Sequence, residues 1–131
     1  MNLDNTKFVI EYLQDLYFSS KSAHTLLFKE IKDTHETRYN NLDEKYREDR
    51  QEIVAAILLN KAISVHYSLK AFYYSNYSEL EDYRIDNVLT AFVRFSNEFL
   101  TSVATKHSYQ YTDIYYESLK EALAELIQIH D

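Results

Sequence analysis

Ile85-Asp86-Asn87-Val88-Leu89-Thr90-Ala91-Phe92-Val93-Arg94-Phe95-Ser96-Asn97-Glu98-Phe99-Leu100-Thr101-Ser102-Val103 is the stretch that decides the fold. Ile85, Val88, Phe92, Phe95, Phe99 and Val103 recur at steps of three and four, the spacing that lines one face of an α-helix. The seam predicts a helix over residues 79–106. It opens on Ser78 with Glu81 three residues on, the pattern of a capping box.

Helical spacing continues in both directions. Downstream, Tyr116, Leu119, Leu123 and Leu126 predict a helix over residues 113–129, after a short connection at 107–112. Upstream, residues 42–74 begin as a charged run and turn apolar at Ile53. Val54, Leu58, Ala62, Val65, Leu69 and Phe72 then share one face, with Ile53, Ile57 and Tyr67 beside them. A helix apolar on two faces is expected to lie centrally. Further upstream, Val9, Leu13, Leu16, Ala23, Leu27 and Ile31 predict a helix over residues 6–35, with Asp4 or Asn5 as its cap. Asn40 and Asn41 break the chain before the second helix, and Asn41 with Glu44 repeats the capping pattern.

Composition points the same way. Average usage would place roughly nine glycines and six or seven prolines in a chain of this length. There are none of either among the 131 residues. Tight hairpins and most helix ends use glycine to reach positive φ, so a glycine-free β-sandwich or doubly wound sheet is improbable. The expected fold is therefore all-α: a single domain, residues 1–131, built as an antiparallel four-helix bundle with long first and second helices. Its first corner is unusual. Residues 29–52 hold fourteen charged side chains against only Ile31, Tyr39, Leu42 and Tyr46, so this polar tip lacks a core of its own.

The same absences remove whole classes of chemistry. Phosphate-cradling loops and the nucleophile elbow need glycine, and thiolate catalysis, thiolate zinc sites, iron–sulfur clusters and disulfides need cysteine, of which there is none. No basic-then-apolar leader opens the sequence, and no run free of Asp, Glu, Lys and Arg exceeds eight residues. A cytoplasmic protein with no membrane contact is expected. Fourteen basic against twenty-one acidic residues leave a net charge of −7, which opposes direct binding to nucleic acid.

Templates for catalysis and metal binding fail on spacing. Bundle metal sites place a carboxylate or second histidine three or four residues from the first, where both converge on one ion. None of His24, His35, His66, His107 and His130 has such a neighbour. None of the five arginines is followed closely by histidine, the arrangement of helical ribonucleases of the HEPN type; after Arg94 the next is His107. We expect no enzyme, no metal and no cofactor. The enzymatic alternative would need a cross-helix polar site, with His66 beside Glu98 or Asp15.

Two features stand out from a plain bundle. Asp113, Glu117, Glu121 and Glu125 recur every four residues along the last helix, where like charges on one face cost a few tenths of a kcal/mol per pair. Such a ridge is either a solvated outer face or a surface that docks onto a basic groove. Tyrosine, present thirteen times, clusters at two joins: Tyr73, Tyr74, Tyr77 and Tyr83 at one, Tyr109, Tyr111, Tyr115 and Tyr116 at the other. Tyr109 and Tyr111 lie nearest the ridge and are the preferred aromatic anchors.

A small, acidic, cysteine-free helical chain is similar in profile to phage-encoded inhibitors, bacteriocin-type immunity proteins and antitoxins. The likeness is one of composition and carries no motif. The expected function is a non-enzymatic binding module of inhibitor, immunity or anti-defence type. It would present Asp113, Glu117, Glu121, Glu125, Tyr109 and Tyr111 to a basic surface on a protein partner. The alternative is a homo-oligomeric structural or assembly component, a homodimer in the simplest case, joined through the polar tip.

Overall fold

The computed structural model describes residues 3–27, 42–105 and 109–130. Among them every regular element is helical and no strand occurs. Helix α1 spans Leu3–Thr25 and continues through Leu26 and Leu27 as a π turn. Helix α2 spans Leu42–Ser75, the single turn α3 spans Tyr77–Leu80, α4 spans Tyr83–Thr105 and α5 spans Gln110–Ala124. The continuation of the first helix to residue 35, the polar tip around Asn40 and Asn41, and the join at His107 lie outside the described residues.

The seam that opened the reading is the core. Ile85, Val88, Phe92, Phe95 and Phe99 of α4 are buried, against Tyr116, Leu119 and Leu123 of α5 and Val9, Leu13, Leu16, Ala23 and Leu27 of α1. Each buried Val, Leu, Ile or Phe side chain among them contributes roughly 1.5–3 kcal/mol by leaving water. Aromatic edges lock the seam: Phe92–Phe95 and Phe95–Phe99 meet edge-on at 6.2 and 5.8 Å, and Phe95 meets Tyr116 at 5.7 Å. Helix α1 packs on α2 and α5, while α4 packs on α5 and α2.

Helix α2 departs from expectation. The face read in the sequence is kept in part: Ala62 and Leu69 are buried and Leu58, Val65 and Phe72 are half-buried against the core, while Ala55, Leu59, His66 and Tyr73 complete the buried line. Val54, Ile53, Ile57 and Tyr67 are exposed, so the helix is peripheral rather than central. A helix apolar almost all the way round gives no preferred direction, and packing against α1 and α4 chose the line of small and polar-tipped residues.

The described corner after α2 closes without positive φ. Asn76, after α2, sits at φ −122° and ψ 28°, and its side-chain amide donates to the Phe72 carbonyl at 2.9 Å. The same carbonyl also accepts the Asn76 backbone N–H at 3.2 Å, so the side-chain amide reinforces a main-chain bond at the end of the helix. Helix α4 begins four residues later than predicted because Asp82, not Ser78, is its cap: Asp82 Oδ1 accepts the Arg84 backbone N–H at 2.9 Å. Tyr73 anchors this corner from below. Its ring is fully buried, and its hydroxyl accepts from the Asp82 backbone N–H at 3.0 Å and lies 3.1 Å from the Asp82 carbonyl. Burial pushes that phenol up to about 12, with the nearby Asp86 carboxylate adding to the effect.

Candidate functional site

Helix α5 carries the ridge. Successive turns of an α-helix advance about 100° per residue, so residues four apart drift by about 40° each step. Across Asp113, Glu117, Glu121 and Glu125 the drift is large enough to turn the two ends in different directions.

Asp113, in the first turn of α5, faces α1. Its Oδ1 lies 3.0 Å from His24 Nε2, and the His24 ring stacks on Tyr116 with centroids 3.8 Å apart and planes 9° from parallel. The pair joins the last turn of α1 to the first turn of α5 across 89 positions of sequence. Burial holds His24 below the usual imidazole value, and the Asp113 bond and charge with the Glu117 charge only partly oppose it.

Glu125 turns toward α4. Its backbone carbonyl, at the end of α5, accepts from Arg84 Nη1 at 3.1 Å. The same guanidinium binds both oxygens of Asp82, Nε to Oδ1 at 3.1 Å and Nη2 to Oδ2 at 2.8 Å. Arg84 thus closes the C-terminal end of one helix and grips the cap of another.

Between these fixed ends, Glu117 and Glu121 point outward with exposed side chains. On the same helix Tyr111 is 58% exposed and Ile114 is about half-exposed, while Tyr109 is partly buried against the core. The outward part of the ridge is therefore Glu117, Glu121 and the Glu125 carboxylate, flanked by one open tyrosine and one open isoleucine. Sequence spacing identified the carboxylates. It carried no signal for His24 or Arg84, whose roles come from residues far away along the chain.

The other tyrosine cluster is knitted to carboxylates. Tyr73, Tyr74 and Tyr77 rings lie 5.1 to 5.8 Å from one another, Tyr74 and Tyr73 hydroxyls donate to Asp86, and Tyr77 donates to Glu81. Asn5 of α1 reaches this end, its amide donating to Glu79 Oε2 at 2.9 Å.

His66 is buried at the centre of α2, stacked on Phe92 at 4.8 Å, and its Nε2 has no hydrogen-bond partner. Burial lowers its basicity. Glu98 is engaged elsewhere, accepting from Ser102 Oγ at 3.5 Å, and Asp15 is exposed on α1. Among the described residues no three His, Asp or Glu side chains converge as a metal site would require. A shallow groove of about 320 Å³ runs between α4 and α5, lined by Asn87, Thr90, Ala91, Arg94, Tyr115 and Ser118. Compared with known protein families, curated proteins and solved structures, the chain matches none.

Proposed function

We propose that this chain is a non-enzymatic binding module that lays the acidic face of α5 on a basic surface of a partner protein. Asp113, Glu117, Glu121 and Glu125, with Tyr109 and Tyr111, form the binding face. Glu117 and Glu121 make its reach, and Asp113 and Glu125 hold its ends. The helices close into an antiparallel four-helix bundle, a reading supported by α1 packing on α2 and α5 and α4 packing on α2 and α5.

One observation carries the reading: exposed carboxylates on successive turns of α5, a helix that also leaves Tyr111 open. Folding alone gains nothing from that arrangement, since like charges four apart repel. A basic partner turns the same repulsion into attraction and speeds encounter. A cytoplasmic inhibitor or immunity protein would use such a face to cover a cationic site.

The test is affinity capture from the native host with the wild type and with the Glu117→Lys, Glu121→Lys double variant. Both residues are exposed, so the far-UV dichroism should match. A partner held by the wild type and lost by the variant, with retention that weakens as salt rises, supports the reading. Equal capture by both proteins at physiological salt refutes it.

A further inference from the structure

The outer face of α2 is used neither by the core nor by the acidic ridge. Ile53, Ile57 and Tyr67 are 59%, 60% and 64% exposed, and Val54 and Tyr74 are open as well. Single exposed apolar residues are ordinary, but several large ones on one helix mark an interaction surface. The stretch Arg50–Ser75 is long and apolar enough to cross a membrane by composition, yet only 33% of its most apolar window is buried. Helical spacing sets Ile53, Ile57, Asn60, Ser64, Tyr67 and Ala71 along one outward strip.

Charge narrows the occupant. At a net charge of −7, two copies of this chain repel each other over most of their surfaces. From Ile53 to Ser78 there is no Asp or Glu, the longest carboxylate-free stretch in the sequence, and its only charges are Lys61 and Lys70. This is the face on which copies can approach one another.

We propose that a second copy of the chain covers it, in a two-fold dimer where α2 lies antiparallel on α2 of the partner subunit. Small residues set the register. With the axis at Ser64, Ile57 meets Ala71 of the partner subunit, and Lys61 meets the ring of Tyr67 of the partner subunit, a cation–π pairing. Ser64 Oγ already donates to the Asn60 carbonyl at 3.1 Å, so it brings no unpaired hydroxyl to the axis.

The area suffices. The 26 residues of Arg50–Ser75 give a strip about 39 Å long at about 1.5 Å per residue. A helix with the near halves of its neighbours presents a width of about 20 Å, hence roughly 800 Å² per copy, the amount that a stable dimer of standard size buries. Two-fold pairing also closes on itself, whereas a head-to-tail contact would propagate. In the bundle α2 and α5 are diagonal, so the dimer leaves both acidic faces open. The proposal stands whether or not those faces bind a partner.

Sedimentation equilibrium at tens of micromolar tests it. The wild type is expected at twice the chain mass, and Ile57→Glu at the chain mass with unchanged far-UV dichroism. The chain has no cysteine of its own, so Ser64→Cys should link two copies on mild oxidation while Ser118→Cys on α5 should not. A wild type that sediments at the chain mass, an Ile57→Glu variant that stays dimeric, or a dimer that Ser64→Cys fails to link would each overturn the proposal. So would a monomer that floats with phosphatidylcholine–phosphatidylserine vesicles, which would assign the face to lipid.

Discussion

The His24 ring lies flat on Tyr116 while its Nε2 meets Asp113 Oδ1, so a single imidazole fastens α1 to α5 by stacking and by a hydrogen bond at once. The second buried histidine, His66, is stacked on Phe92 with its Nε2 unpaired. Both are held below their unfolded basicity by burial.

Acid should therefore weaken the fold in a definite window. With folded values below 6.5, the unfolded chain binds more protons, and stability falls as pH drops from about 6.5 through the folded values. Urea midpoints measured from pH 8 to pH 5 should decline over that range with an unchanged slope. His66→Leu should flatten the decline by removing a buried group that must charge. A variant as acid-sensitive as the wild type would show that His66 is not part of the cause.

Asp82 and Arg84 should be coupled. Asp82→Ala removes a cap worth about 1 kcal/mol and frees the guanidinium from its two-point grip. Arg84→Met removes the donor to the Glu125 carbonyl and should speed hydrogen exchange in the last turn of α5. The double variant should cost less than the sum by about 0.5 kcal/mol, measured by urea denaturation.

Ser102 Oγ and Thr112 Oγ1 pair at 3.1 Å, both residues fully buried, where α4 meets α5. Thr112→Val keeps the volume but leaves Ser102 with only the long contact to Glu98, at a cost of about 1–2 kcal/mol. Adding Ser102→Ala should recover much of that loss, because no buried hydroxyl is then left unsatisfied. Strict additivity in thermal denaturation would refute this account.

Phe99→Ala should be the most damaging single change among these. The side chain is fully buried in the aromatic row of α4, and its deletion should cost about 3–5 kcal/mol. Against a total stability of roughly 5–15 kcal/mol, the variant should unfold at a much lower urea concentration than the wild type.

What the sequence made legible followed the strength of its periodicity. Ile85, Val88, Phe92, Phe95 and Phe99 recur at strict steps of three and four, and all five are buried. In α2 the apolar residues surround the helix, so spacing alone could not separate the line through Val54 from the line through Ala55. His66 and Tyr73 join the buried line although each carries a polar tip, because burial of the rings decides their place. The start of α4 is ambiguous in sequence for a local reason: Ser78 and Asp82 both offer a capping oxygen, and the Arg84 grip favours the second. At the acidic ridge the four-residue spacing is plain in the sequence, while its drift about the helix axis turns the two ends apart. Asp113 therefore ends in a bond to His24, whose partner lies too far along the chain to leave a local pattern.

The turn at Asn76 keeps an ordinary backbone and adds a side-chain amide to its main-chain bonds. A corner fastened by side chains, and not by special chain geometry, can be loosened or tightened by a single point change. The hydrophobic interior need not be disturbed, and the looseness of that end becomes a property adjustable independently of the fold.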